Sequence, residues 1–370
     1  MRIAILGTRG IPNHYGGFER FAEVISTCFA EEGHSVFVLS PNGNTSPVKS
    51  IWPNVYTVGI KTSAWLPPNF QTLVYDLKSL IWASKNNIDV ALECGYSYAI
   101  WLPFFRRTFR KKIVTNPDGI EFHRKKWSSV AKLFLKTSEW IAVKFSGFIV
   151  CDSPALLNHY KKKYNIAPNV IPYGAFPAVK QTGKAPSEKY GAPNEYYLVI
   201  SRFTPENNTD SILECFYDLR LPLVVVGDFC NKFGQKCYSK YHSISSIKFL
   251  GGIYNQDELN ELREHAIAYI HGHSVGGTNP SLLEAMACKC FVVAHDNPYN
   301  RFALNNRGLF FANSKDLRKC LKDFNRMSRA DVSLVKELNF RRVEETFRWE
   351  IASGKYLEIF ETIYSQKEIR

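Results

Sequence analysis

The chain has 370 residues, which at roughly 150 residues per domain suggests two domains. Apolar residues make up 45% of it and charged residues 22%, a balance typical of folded soluble proteins and too apolar for a disordered chain. No apolar run approaches the roughly 18 residues that a membrane span needs. The nine cysteines are an odd number without zinc or redox spacing, which favours a cytosolic protein over a disulfide framework.

The positive charge of the chain is unevenly distributed. The net charge is +13, and residues 1–178 hold 21 basic and 11 acidic side chains, so the first half alone carries 21 − 11 = +10. The basic residues cluster at 106–112, 124–126 and 161–163, and aromatic residues such as Trp101, Phe104 and Trp127 lie between or beside them. This mixture predicts peripheral contact with an anionic membrane surface. A solvated basic face remains the alternative, and a nucleic-acid binder is disfavoured because no helix-turn-helix, zinc or single-strand-binding motif is present.

Short apolar runs alternate with amphipathic stretches along the first half. The predicted strands are Ile3–Leu6, Val36–Leu39, Val90–Leu92, Ile113–Thr115 and Phe148–Cys151. The predicted helices between them are Phe18–Glu32, Phe70–Lys85 and Val130–Phe145. Strands that are apolar on both faces and alternate with helices indicate a parallel sheet covered by helices.

The same alternation resumes after a linker rich in proline and glycine at 175–194. The second set of strands is Tyr197–Ile200, Leu223–Val226, Ile247–Leu250, Ala268–His271 and Phe291–Ala294. The helices of this half are Asp210–Leu219, Asp257–His265 and Ser281–Cys288, and the tail from Ser333 is helical in pattern. Two such sets predict an α/β chain of two Rossmann-like domains. We expect 1–175 with about 346–370 to form the first domain and 176–345 the second.

A glycine-rich loop follows the first predicted strand. Gly7 and Gly10 begin it, and Gly16 and Gly17 open the next helix. Such a loop lets backbone N–H groups and a helix dipole approach a phosphate or a sugar. Its spacing matches neither the dinucleotide fingerprint nor a P-loop. Gly16 and Gly17 are therefore candidates for contact with a ligand, and a plain tight turn is the alternative.

The most informative segment is 271–287, where a strand leads through a polar glycine-rich loop into a helix. Thr278, Asn279 and Ser281 can cap this helix, whose first N–H groups would suit a diphosphate. Glu284 lies about one turn further on and could reach a ribose diol, or it could cap the helix. Arg202 follows another strand at the same edge and is expected to neutralise the diphosphate. The expected donor contacts comprise Arg202, Asn207, Asn208, Gly276, Gly277, Thr278, Asn279, Ser281, Leu282 and Glu284.

The loop 116–124 follows a strand of the first half and offers two carboxylates and an imidazole. Asp118, Glu121 and His123 could transfer a proton or bind a hydroxyl, and a structural turn is the alternative. His271 and His273 alternate on a strand, so at most one is expected to face a ligand. Because no third ligand has suitable spacing, no metal site and no cofactor are expected.

Taken together, these segments resemble the nucleotide-sugar glycosyltransferases of the two-Rossmann GT-B fold, and within them the retaining family 4. That resemblance implies parallel sheets facing across a cleft, with the C-terminal helix returning to the first domain. Glu284 matches the second glutamate of the family's Glu-seven residues-Glu pattern, but Gly276 stands where the first would fall. Arg202 matches the arginine of the diphosphate clamp, with Asn207 or Asn208 in the region of its lysine.

A narrower resemblance, to the bacterial rhamnosyltransferase-like branch of polysaccharide synthesis, covers nearly the whole chain. It rests on 7–12, 15–19, 118–121, 126–127, 205–208 and 272–281. It implies transfer of rhamnose or another hexose from a dTDP- or UDP-sugar to a lipid-linked saccharide at the inner face of the cytoplasmic membrane. Asp118 and Arg202 are then the expected catalytic residues, with Gly16, Gly17, Glu121 and His123 near the acceptor. A nucleotide-sugar epimerase of the same fold is the alternative.

Overall fold

The structure is a computed structural model that describes residues 1–14, 16–41, 45–63, 65–117, 119–124, 127–177 and 186–368. The chain divides into two units. The first contains Met1–His123, Trp127–Tyr173 and Trp349–Arg370, and the second contains Arg124–Lys126 and Gly174–Arg348.

The first unit is built on an eight-stranded sheet. Its strands are β1 (Arg2–Leu6), β2 (Ser35–Ser40), β3 (Val48–Lys49), β4 (Val55–Gly59), β5 (Val90–Cys94), β6 (Ile113–Asn116), β7 (Phe148–Cys151) and β8 (Asn169–Val170). The helices that precede β8 are α1 (Gly17–Glu31), α2 (Pro68–Lys85), α3 (Arg107–Arg110), α4 (Ser129–Phe145) and α5 (Pro154–Tyr164), with 3-10 helices at Ser97–Phe104 and Glu121–His123. The strand order is β3-β4-β2-β1-β5-β6-β7-β8, parallel except for β3.

The second unit has a six-stranded parallel sheet. Its strands are β9 (Tyr197–Ile200), β10 (Leu223–Val226), β11 (Ile247–Gly251), β12 (Ala268–His271), β13 (Val292–His295) and β14 (Leu309–Phe311), in the order β11-β10-β9-β12-β13-β14. Its helices are α6 (Pro186–Tyr190), α7 (Thr209–Leu219), α8 (Lys232–Tyr241), α9 (Gln256–Glu264), α10 (Pro280–Ala287), α11 (Pro298–Leu304), α12 (Ser314–Arg326) and α13 (Arg329–Thr346), with a 3-10 turn at Pro205–Asn207.

The last helix, α14 (Trp349–Glu368), belongs to the first unit, as the predicted fold class requires. Tyr356 packs edge-on against Phe21 of α1, with ring centroids 5.8 Å apart. The Asn116 amide also donates a 3.0 Å hydrogen bond to the Tyr356 hydroxyl. Phe360 packs edge-on against Phe29, further along α1, with ring centroids 5.3 Å apart. The helix therefore completes the core of the first unit.

The predicted fold class, α/β with two Rossmann-like parallel sheets, is confirmed. All ten predicted strands are present, with β13 starting one residue later than expected. The strands that the sequence did not reveal are β3, β4, β8 and β14, each five residues or fewer. Within the described residues, no helix is long and apolar enough to cross a bilayer.

Candidate functional site

The second sheet reverses its strand order between β9 and β12. From β9 the chain continues outward to β10 on one side, and from β12 it continues to β13 on the other. The loops that follow β9 and β12 therefore lie side by side at the carboxyl ends of the two strands, and the chain leaves them in opposite directions. In parallel α/β sheets, ligands bind in the crevice that forms at such a switch point.

The two loops of this switch point are fastened to each other. The Ser274 N–H and Oγ both donate to the carbonyl of Glu206, at 2.9 and 2.7 Å. The Asn208 side chain donates to the carbonyl of Gly272 at 2.8 Å. A Cβ at position 272 would lie 2.0 Å from the carbonyl oxygen of Asn207, so only glycine allows this approach. Asn207 and Asn208 therefore position the loops through hydrogen bonds.

Arg202 follows β9 and is exposed. Its carbonyl accepts a 2.7 Å hydrogen bond from the Asn207 side-chain amide, which holds the backbone of this residue in place. The positive charges of Arg202 and Arg124 are among the causes that lower the pKa of His273, after burial and His271. The positive charge of Arg202 therefore acts on the loop that follows β12, where an anion site would need it.

Helix α10 starts at Pro280, one residue before the predicted start. Asn279 caps it, because its Oδ1 accepts from the Ser281 N–H at 2.9 Å, and its carbonyl accepts from the Leu282 N–H at 3.1 Å. A phosphate would have to displace these bonds to reach the two N–H groups. The Leu282 side chain is 1% exposed and packs in the core, and the Ser281 hydroxyl lies 2.7 Å from the Tyr269 hydroxyl. Thr278 is also buried, at 3% exposure.

Glu284 has a structural partner that the sequence did not reveal. Its Oε2 accepts a 2.5 Å hydrogen bond from Arg263, whose side chain is fully buried. The Arg263 guanidinium also donates to Asn260 at 2.9 Å. Glu284 does not cap the helix, since Asn279 does, and its carboxylate neutralises a buried cation. Any contact that Glu284 makes with a ribose is shared with this ion pair.

A group of imidazoles lies beside the loop after β12. Burial and the neighbouring His295 lower the pKa of His271 to about 3, so it is neutral at physiological pH. The side chain of His273 is partly exposed at the surface. Its pKa is also well below the ordinary value. Gly276 and Gly277 beside it are buried. Across the described ranges, no group of three or more histidine, cysteine or acidic side chains is arranged to hold a metal ion.

The glycine-rich loop of the first unit lies at the corresponding switch point of the first sheet, between β1 and β5. The Thr8 hydroxyl donates to the Leu39 carbonyl at 3.1 Å, and the Arg9 N–H donates to Glu19 of α1 at 3.0 Å. Gly16 is the N-cap of α1 with extended backbone, and Gly17 is exposed. The exposed start of α1 is thus accessible to a ligand of the first unit.

The loop after β6 is described in part. Asp118, one of the two expected catalytic residues, lies outside the described residues. The Glu121 carboxylate accepts a 3.2 Å hydrogen bond from the Trp127 indole. The backbone N–H of Glu121 donates to the Tyr96 hydroxyl at 3.0 Å. His123 is exposed. Its pKa is lowered mainly by partial desolvation and, to a smaller extent, by the neighbouring His159. Glu121 and His123 therefore belong to the same 3-10 turn but differ in how firmly they are held.

Sequence reasoning missed a pair of buried acids in the first unit. Burial raises the pKa of Asp76, on α2, to about 7, and the pKa of Glu93, in β5, is raised well above its ordinary value by burial and then by Asp76. Asp76 accepts a 2.9 Å hydrogen bond from Ser97. An acid inside the otherwise apolar run 90–94 was the available signal.

Two family models match successive parts of the chain. Residues 1–176 match a domain of unknown function, DUF1972, and residues 184–328 match the family described as "Glycosyl transferases group 1". A comparison with curated protein sequences gave no significant match.

Solved structures share the fold along nearly the full chain. Sucrose-phosphate synthase from Thermosynechococcus elongatus is 14% identical, with a TM-score of 0.84 over 99% of each chain. An E. coli trehalose-6-phosphate structure bound with UDP-2-fluoro glucose is 10% identical, with a TM-score of 0.72 over 97% of this chain and 99% of that one. WaaG, a glycosyltransferase involved in lipopolysaccharide biosynthesis, is 14% identical, with a TM-score of 0.70 over 96% of this chain and 98% of that one. The fold is GT-B, and with the family match over the second unit it supports a glycosyltransferase of GT-B type.

Proposed function

We propose that this chain transfers rhamnose or another hexose from a dTDP- or UDP-sugar to a lipid-linked saccharide in the synthesis of a cell-surface polysaccharide. The reaction proceeds with retention and needs no metal. The observation that carries the proposal is the reversal of strand order between β9 and β12 in the second unit, where a ligand crevice is expected and where the exposed Arg202 directly follows β9. The alternative, a nucleotide-sugar epimerase, would use the same crevice without an acceptor.

The crevice is suited to a nucleotide sugar for electrostatic reasons. Arg202 offers a permanent cation with donors in a fork that matches phosphate oxygens. Gly276 and Gly277 let the backbone approach a ligand closely. A structure with the same fold is described as bound with UDP-2-fluoro glucose, which supports a nucleotide-sugar donor for this chain as well.

In the proposed reaction, the bond between the sugar and the diphosphate breaks while the acceptor oxygen forms the new bond on the same face. The acceptor proton passes to the departing phosphate oxygen. Arg202 neutralises the negative charge that develops on the diphosphate, a contribution typically worth about a hundredfold to a thousandfold in rate. Gly16, Gly17, Glu121 and His123, with Asp118, belong to the acceptor side.

The lipid-linked acceptor is supported by the outer surface of α4. Its exposed stripe consists of Val130, Leu133, Lys136, Thr137, Trp140 and Lys144. Val130 is 80% exposed and Leu133 67% exposed, and the only acid of this helix, Glu139, is buried against His159 and Lys163. An apolar and basic helix face without acidic residues is suited to an anionic bilayer. We therefore place the enzyme at the cytoplasmic face of the membrane, as a peripheral protein.

Incubation of the purified full chain with labelled dTDP-rhamnose or UDP-hexoses and a bacterial lipid extract tests the proposal. We expect label from one donor to enter the lipid fraction, at a rate that EDTA leaves unchanged. Failure of every donor to label lipid would contradict the transferase. Formation of an epimerised nucleotide sugar without lipid would favour the epimerase instead.

A further inference from the structure

The side chain of His273 has a single tautomer, which its neighbours determine. Its Nδ1 lies 2.8 Å from Oδ1 of Asn207. The amide nitrogen of Asn207 donates to the Arg202 carbonyl at 2.7 Å, so the oxygen of that amide must be the atom facing the imidazole. An amide oxygen only accepts hydrogen bonds, and Nδ1 therefore carries the proton. The other ring nitrogen, Nε2, then has a lone pair.

His273 stays neutral because of its surroundings. Burial is the largest cause that lowers its pKa, followed by His271, Arg124 and Arg202, with His295 a smaller contributor. All the charged groups among them are cations, and His271 is itself neutral at physiological pH because its pKa is about 3. A neutral imidazole with its proton fixed on Nδ1 presents Nε2 as a hydrogen-bond acceptor only.

Gly276 lies beside the Nε2 edge of this ring and puts no side chain against it. A Cβ at position 276 would lie 2.9 Å from Nε2 and 3.7 Å from an Arg124 nitrogen, and the φ of +128° disfavours any side chain there. The Cβ of any residue other than glycine at this position would lie too close to Nε2 of His273. The loop after β12 thus places an acceptor nitrogen beside the crevice, in the same cationic surroundings that suit a diphosphate.

We propose that Nε2 of His273 accepts a hydrogen bond from a hydroxyl of the donor sugar, and that Asn207 positions it by fixing the tautomer. This inference rests on the proposed function and adds a residue that distinguishes the sugar from the nucleotide. A neutral acceptor suits a hydroxyl, which donates, and does not suit a phosphate, which accepts. The division of tasks is then simple: Arg202 binds the diphosphate and His273 binds the sugar.

Two substitutions separate the roles of the two ring nitrogens. His273→Asn keeps a donor at the position of Nδ1, and so keeps the bond to Asn207, but removes Nε2. His273→Gln places its amide group near the position of Nε2 and can restore the acceptor. The affinities to measure by calorimetry are those of UDP, dTDP, UDP-glucose and dTDP-rhamnose for the wild-type full chain and both variants.

We expect His273→Asn to lower the affinity for the nucleotide sugar about tenfold, the effect of losing one hydrogen bond. The affinity for the nucleoside diphosphate should change by no more than about twofold. His273→Gln should recover part of the loss. If His273→Asn leaves the affinity for the nucleotide sugar unchanged, or lowers the affinities for the nucleotide sugar and the nucleoside diphosphate equally, the proposed role of His273 is wrong. If the wild-type chain binds none of the four compounds, the proposed function itself fails.

Discussion

At the scale of single residues, Glu284 combines a predicted ligand contact with a structural task. Its carboxylate lies 2.5 Å from the guanidinium of Arg263, which is fully buried. Removing one partner of a buried ion pair leaves an uncompensated charge, at a cost of about 3–5 kcal/mol. Substitution at this position therefore changes stability as well as binding.

We expect Glu284→Ala to lower the free energy of unfolding by about 3–5 kcal/mol, measured by urea denaturation. Glu284→Gln keeps an oxygen for Arg263 and should lose clearly less. Glu337→Ala is the matched control. Glu337 is 38% exposed, its partners Lys289 and Arg341 are 49% and 62% exposed, and such pairs contribute roughly 0–1 kcal/mol each. If Glu284→Ala and Glu337→Ala lower the free energy of unfolding equally, the buried pair contributes no more to stability than an exposed one.

The buried acid Asp76 predicts a pH dependence of stability. Its pKa is about 7 in the folded chain, raised by burial from an ordinary value of 3.8. Between about pH 4 and pH 7 the unfolded chain loses this proton while the folded chain keeps it, so stability falls as the pH rises. Asp76→Asn removes this penalty and should stabilise the chain at pH 8 by on the order of 4 kcal/mol, but little at pH 4.

Thermal unfolding of both proteins across this pH range checks the prediction. Glu358→Gln is the control, since this carboxylate is exposed on α14 of the same unit. A stabilisation by Asp76→Asn that is the same at pH 4 and pH 8 would rule out a buried ionisable group as the cause.

The sequence predicted local features of the candidate site better than it predicted the long-range partners of its residues. The sequence correctly located the start of α10 to within one residue, because Asn279 followed by Pro280 is a strong helix-start signal. The Arg263 to Glu284 pair joins residues 21 positions apart on different helices, and no local pattern shows which helices are neighbours. For the same reason the tautomer of His273, set by Asn207 66 positions away, was not predictable.

At the scale of elements, the loops after β9 and β12 depend on one close approach. A Cβ at Gly272 would lie 2.0 Å from a carbonyl oxygen, and backbone must move to admit it. We expect Gly272→Ala to destabilise the chain by about 1–3 kcal/mol, since overpacking in a buried site costs that much. It should also weaken nucleotide binding, because the loops would separate.

Gly354→Ala is the opposite case and serves as control. Gly354 lies inside α14, is exposed, and a Cβ there would meet nothing within 4 Å. Alanine should stabilise this helix by about 1 kcal/mol. Urea denaturation measures both variants, and a Gly272→Ala protein as stable as the parent would contradict the close packing of the loops.

The exposed stripe of α4 makes a separate prediction about membranes. Leu133→Ser with Trp140→Ser should reduce sedimentation with vesicles of phosphatidylglycerol and phosphatidylcholine at least severalfold, because the apolar contribution to interfacial binding is lost. Leu334→Ser with Tyr217→Ser removes exposed apolar residues of the second unit, 58% and 46% exposed, and should have little effect. Equal reduction by both pairs would contradict docking through α4.

At the scale of the whole molecule, periodicity was sufficient to predict the two parallel sheets. Uninterrupted apolar strands such as β1, with Ile3 to Leu6 fully buried, give a clear signal. Short strands such as β14 give almost none, because three residues cannot establish a period. The α13–α14 tail was predicted as helical, but the break around 347–348 was not, since neither proline nor glycine marks it.

The charge asymmetry is also a property of the whole chain. The excess of ten positive charges in residues 1–178 includes the basic residues near α3 and on α4. The segment 97–117 contains five basic residues and no acid. This distribution agrees with a membrane-facing first unit and a donor-binding second unit in the proposed function.

We expect the crevice at the loops after β9 and β12 to bind a nucleoside diphosphate through Arg202. Calorimetric titration of the full chain with UDP and dTDP tests it, comparing the parent with Arg202→Ala and with Arg326→Ala, an exposed arginine at the end of α12. We expect binding of at least one diphosphate, a loss of about tenfold to a hundredfold in Arg202→Ala, and no change in Arg326→Ala. Equal affinity of all three proteins, or the absence of binding by the parent, would contradict it.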